Sequence, residues 1–138
     1  MTDEFSAGGV VVRRMRGRPH VAVVRVRDQI LALPKGHPNG DESAAEAARR
    51  EVREETGLET ELLEKLGDVT YWYQRGGRRI NKTVAFYLFG YRSGSVADHD
   101  HEVEEALWLP LDEAVERLAY KGEREIVVAA RSRVTEGR

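Results

Sequence analysis

The stretch SAAEAARREVREETG, residues 43–57, constrains the fold more than any other part of the chain. Ser43 and Glu46 match a capping box, in which each side chain satisfies the other residue's free backbone N–H. Gly57 suits the left-handed position that ends a helix. A helix from Ser43 to Thr56 puts Glu51, Glu54 and Glu55 at i, i+3 and i+4, on one face. Unit charges about 5–6 Å apart in an effective dielectric near 20 repel by about 3 kcal/mol. The cluster also falls in the last turns, where the helix dipole is negative. One reading is an ordinary solvated face, with Glu46–Arg50 and Arg50–Glu54 as surface pairs. The other is a site for a divalent cation, which offsets both the repulsion and the dipole. Mg²⁺ takes oxygen ligands and shares its shell with water and phosphate. Ala44 and Ala47, on roughly the same side of the helix, leave room for a ligand above the carboxylates.

Around this helix the pattern predicts strands at Phe5–Arg13, His20–Val26, Val69–Gln74, Thr83–Tyr91 and Ala106–Leu109, with a short apolar piece at Gln29–Leu33. Lys35–Glu42 reads as a loop, and Leu111–Tyr120 and Glu123–Val134 have helical spacing. Strands come first, then a helix, strands again, then helices. That order suggests a mixed sheet covered by helices, an α/β fold in a single domain over residues 1–138.

The net charge of -2 provides no global basic field, which disfavours a nucleic acid polymer as partner. No cysteine is present, so disulfides, thiolate zinc sites and cysteine nucleophiles are excluded, and a cytoplasmic location is expected. The acidic start MTDEFSAGG does not resemble a signal peptide, and no apolar run approaches a membrane span.

Residues 36–58, GHPNGDESAAEAARREVREETGL, resemble the box of the Nudix family: Gly, five residues, Glu, seven residues, Arg-Glu, an aliphatic residue, any residue, Glu-Glu, any residue, Gly, aliphatic. Gly36, Glu42, Arg50, Glu51, Val52, Glu54, Glu55, Gly57 and Leu58 meet every fixed position. AGGVVV, LPKGH and EEALWLPLDEA are similar to the same family outside the box. The resemblance implies the Nudix fold, a mixed sheet sandwiched between helices (α/β/α), and Mg²⁺-dependent hydrolysis of a diphosphate bond, with Mn²⁺ as a substitute. It implies that Glu51, Glu54 and Glu55 hold the metal with the Gly36 carbonyl, and that Arg50 orients a catalytic glutamate. Glu102, six residues before Trp108, is the candidate general base from a later loop, with Glu104 and Glu105 as competitors and an acidic surface loop as the alternative.

PKGHPNGDES looks like the dinucleoside polyphosphate hydrolase branch, which makes a substrate such as Ap4A or Ap6A the first expectation. Asn39-Gly40-Asp41-Glu42 is a small departure from that branch's usual Pro-Gly-Glu. Nucleoside triphosphates or 8-oxo-purine nucleotides come next, then ADP-ribose or nucleotide sugars. A nucleotide-sensing regulator is the non-enzyme alternative, and a monomer or homodimer is expected. Lys35, Lys82 and the Arg75, Arg78, Arg79 turn are candidate phosphate cations, the turn being equally well an exposed hairpin tip. His37, after Gly36, either touches phosphate or shapes the loop. Among Tyr71, Trp72 and Tyr73 only one side of the strand can be core. Trp72 and Tyr87 are therefore candidate base-stacking residues, with sheet packing as the alternative. His99-Asp100-His101-Glu102 reads as a polar loop near the site mouth rather than a metal cluster.

Overall fold

Runs of β-branched residues build the strands, and their two-residue period divides the core between two faces. The computed structural model describes residues 2–135. Seven strands form one sheet: β1 (Thr2–Met15), β2 (Arg18–Val26), β3 (Ile30–Ala32), β4 (Lys35–Gly36), β5 (Leu58–Arg75), β6 (Arg78–Gly94) and β7 (Glu105–Pro110). The main path runs β3-β2-β1-β6-β5, with β4 paired to β1 and β7 to β2. β1 and β6 are parallel, Thr2 opposite Ile80 through Val12 opposite Gly90. The other pairings are antiparallel, so the sheet is mixed as expected.

Alternate residues of each strand point to opposite layers. Val10, Val21, Phe86 and Leu88 join α2 (Leu111–Arg117) and α3 (Lys121–Thr135) in one core. Val11, Ala22 and Phe89 meet α1 (Ala44–Thr56) through Ala47, Ala48 and Val52 in the other. The helix–sheet–helix arrangement follows. Among the described residues no helix is long and apolar enough to cross a membrane.

α1 starts and stops where its caps dictate. Ser43 accepts from the Glu46 N–H at 3.1 Å, Glu46 accepts from the Ser43 N–H at 2.8 Å, and Gly57 takes the left-handed conformation with φ 78°. Three expectations need correction. The strand expected from Val69 begins instead at Leu58: β5 is an edge strand whose alternation is broken by register shifts at Glu59/Thr60, Leu62/Glu64 and Lys65/Gly67, so its first part carries no clean period. Lys35 and Gly36, expected in a loop, pair with Gly8 and Ala7. α2 ends at Arg117, three residues before the predicted end.

Candidate active site

α1 sets Glu51 and Glu55 one turn apart on the side facing β4, which passes close because residue 36 is glycine. A Cβ built on Gly36 would lie 1.8 Å from Glu51 Oε2, so only a glycine backbone fits against that carboxylate. The Lys35 N–H is directed at Glu55 Oε1 at 3.4 Å. Burial raises the pKa of both acids. Glu51 is raised first by desolvation, with the charges of Glu54 and Glu102 adding to it and Arg50 opposing. Glu55 is pushed up to about 8, again first by desolvation, against the charge of Lys35 and with that of Glu51.

Arg50 organises the rest. Its Nε and Nη2 donate to the two Glu42 oxygens at 2.7 and 3.1 Å, a bidentate pair, and Nη2 also donates to the His37 carbonyl at 2.9 Å. Nη1 donates to Glu54 at 3.2 Å and lies 3.4 Å from Glu51 Oε2. One guanidinium thus clamps the loop before α1 to the helix and holds two of the acids. Glu54 is turned toward it and is about half exposed. Among the described residues no three His, Cys, Asp or Glu side chains converge closely enough to hold a metal ion as they stand. The donor set nevertheless fits a hard divalent cation: two partly desolvated carboxylates whose charges disfavour each other, beside a glycine backbone.

The loop after β6 docks on the end of α1, where the Asp100 N–H donates to the Glu54 carbonyl at 3.0 Å. Asp100 Oδ1 accepts the Glu102 N–H at 3.1 Å, and the Glu102 charge reaches Glu51. Beside the acids opens a cleft of about 1270 Å³, whose lining includes Glu55, Gly36, Lys35, Lys82, Tyr71 and Tyr120. The Lys82 pKa is lowered by burial and by the nearby Lys35 charge. The Tyr71 hydroxyl is raised to about 12, first by burial, with the charge of Glu123 and then that of Tyr120 also raising it.

The sequence model of the NUDIX domain matches residues 4–130. The chain belongs to the Nudix hydrolase family. A Mycobacterium tuberculosis protein bearing the mutator name MutT4 is 40% identical over 134 residues, which cover 92% of this chain and 54% of that protein. A Mycolicibacterium smegmatis 8-oxo-(d)GTP phosphatase is 35% identical over 108 residues, 78% of this chain and 32% of that protein. The chain therefore spans about half the length of the first relative and about a third of the second. A C. elegans Ap4A hydrolase in a binary complex has the same fold, with a TM-score of 0.73 at 20% identity, covering 96% of this chain and 98% of that one.

The residues of the Nudix box gather around Arg50 and β4, while the substrate candidates scatter. Lys35, His37 and Lys82 line the cleft. His37 Nδ1 lies 3.0 Å from the Phe5 carbonyl, which keeps a proton on that nitrogen and turns the ring toward β1. Trp72, Arg79 and Tyr87 do not line the cleft. The Arg79 guanidinium stacks over the Trp72 ring at 4.1 Å, on the strand face opposite Tyr71. Tyr87 packs into the core under α1. In their place stand Tyr71, from the same aromatic trio, and Tyr120 and Glu123, which the sequence did not single out. Glu123 opened a predicted helix, and an acid there reads as an ordinary complement to the helix dipole.

Proposed function

We propose that this Nudix chain hydrolyses a diphosphate linkage in a nucleoside polyphosphate with Mg²⁺, Mn²⁺ being the expected substitute. The observation that carries this reading is the desolvated Glu51–Glu55 pair against the Gly36 backbone, with Glu55 and Gly36 lining a cleft that contains Lys82. Glu51 and Glu55 with the Gly36 carbonyl are the expected ligands, and Glu54 is the third acid available once it leaves Arg50. A bound divalent cation neutralises charge on phosphate oxygens and acidifies bound water. Glu102, the carboxylate that reaches Glu51 from outside α1, is the candidate to take the proton of the attacking water. Lys82 forms no ion pair with the described residues and lies half-buried, which suits it to phosphate oxygens. Arg50 keeps Glu51 and Glu54 in place.

For the base, Tyr71 and Tyr120 offer exposed rings in the cleft, at 39% and 48% exposure. One pair of rings accommodates one base, since stacking needs only a π face. That favours a nucleoside triphosphate, oxidised purines included, ahead of the dinucleoside polyphosphate that the box suggests. The name of the Mycolicibacterium smegmatis relative, 8-oxo-(d)GTP phosphatase, points the same way.

The test is a panel of 8-oxo-dGTP, the ordinary dNTPs, Ap4A and ADP-ribose, incubated with the protein and Mg²⁺ and resolved by chromatography, with chelated blanks. We expect cleavage only with the cation, fastest on a mononucleoside triphosphate. Faster cleavage of Ap4A would restore the dinucleoside reading, and an inert panel with both Mg²⁺ and Mn²⁺ would sink the assignment. On the best substrate, Tyr120→Ala is expected to raise KM about tenfold with kcat within about twofold, in keeping with one lost stacking contact. An unchanged KM removes Tyr120 from the base site.

A further inference from the structure

Glu123 has no part in the reaction proposed above, yet its carboxylate is among the most confined groups of the chain, at 4% exposure. Both oxygens are committed. Oε1 accepts the Leu33 N–H at 2.8 Å, and Oε2 pairs with the Lys35 ammonium at 2.8 Å. The same ammonium donates to the Leu33 carbonyl at 3.0 Å. A buried ion pair is a poor device for stability alone, because apolar side chains of similar volume often serve as well. What it provides is a fixed location for a charge.

That location bears on the acid site. Lys35 directs its backbone N–H at Glu55, and its ammonium is the cation whose charge acts on the Glu55 carboxyl. Lys35, Glu55 and Glu123 line the same cleft. The ammonium therefore has two acids within its field, one from α1 and one from α3, and it sits on the second. An ammonium on Glu55 would occupy the place of a divalent cation.

On the strength of the cation-site reading above, we infer that Glu123 is a positioning residue: it ties the Lys35 ammonium to the start of α3, keeps it off Glu55, and so leaves the Glu51–Glu55 site open to a divalent cation. Replacing Glu123 by glutamine keeps an acceptor for the Leu33 N–H and removes the charge that retains Lys35. The ammonium then turns to Glu55 and competes with the metal.

The experiment is calorimetric titration of Mn²⁺ alone into the whole chain, without substrate, for wild type, Glu123→Gln, Lys35→Met and the double variant, each checked by circular dichroism. Glu123→Gln is expected to weaken Mn²⁺ binding about tenfold, the order of one partly screened charge at such range. The double variant, which has no ammonium to misplace, is expected to bind within about twofold of wild type, as is Lys35→Met. Wild-type affinity in Glu123→Gln overturns the inference. Equal weakening in the single and double variants also overturns it, because a merely structural joint would not be rescued by removing Lys35. Should glutamine unfold the chain, Glu123→Asp withdraws the charge by one methylene, with a two- to fivefold weakening expected, roughly, for a lengthened pair, and unchanged affinity contradicting. A wild type that binds no Mn²⁺ defeats the cation-site reading itself, a failure distinct from wild-type binding with an unaffected Glu123→Gln.

Discussion

Glu55→Gln is expected to lower kcat by about three orders of magnitude, some 4 kcal/mol of transition-state stabilisation, while the fold survives. Glutamine has the same shape and keeps an oxygen for the Lys35 N–H, but it cannot offer the negative charge that a divalent cation requires. Steady-state kinetics at saturating Mg²⁺ on the best substrate of the panel gives the number, and full activity would remove Glu55 from the metal site. The same variant has a signature in stability. Burial raises the Glu55 pKa from 4.5 to about 8. Between those values the folded chain holds a proton that the unfolded chain releases, so this group's contribution is present at low pH and is lost as pH rises toward 8. The chelated wild type should therefore melt at a lower temperature at pH 8 than at pH 5. Glu55→Gln should escape that loss, and Mg²⁺ should reverse it in the wild type by binding the folded state. A chelated wild type whose melting temperature ignores pH over this range would contradict a Glu55 whose burial outweighs the charge of Lys35.

Gly36→Ala is the second large effect, expected to cost about two orders of magnitude in turnover, close to 3 kcal/mol. The added methyl would stand 1.8 Å from Glu51 Oε2 and 2.2 Å from its carboxyl carbon, so the carboxylate must leave. The obstructed atoms are the end of a flexible side chain, which keeps the stability cost near 1 kcal/mol by denaturant titration. Gly90→Ala is the matched control, because its backbone is not left-handed and a Cβ there meets only Leu63 Cδ1 at an ordinary 3.7 Å. Equal activity in Gly36→Ala and wild type would show that Glu51 is not needed where it stands.

What the sequence made legible was what local rules determine. The capping box and the left-handed Gly57 are decided within α1, and both stand as read, whereas Glu54 turns to Arg50 and the three acids do not converge. The first half of β5 was hidden because LETELLEKLGD lies mostly exposed at a sheet edge and is interrupted by bulges, so neither burial nor period marked it. The same bulges explain the aromatic trio. Which of Tyr71 and Trp72 meets the cleft depends on the register of β5 against β6, and a slip of one residue exchanges the two faces. Glu123 was out of reach for a different reason: its partner at Leu33 lies 90 residues away, and no local pattern records such a contact.

The parallel pairing of β1 with β6 has a consequence for how the chain comes into being. Thr2 finds Ile80, and Val12 finds Gly90, so the strand at the centre of the sheet must wait for a partner that lies 78 residues further along the chain. Ribosomes add roughly 5–20 residues per second, which leaves the β1–β2 hairpin with an open apolar edge for several seconds. Closure of a loop that long also sets a slow rate once the partner emerges. Until β6 emerges, that open edge is a template for pairing with another chain, and a chaperone bound there would protect it.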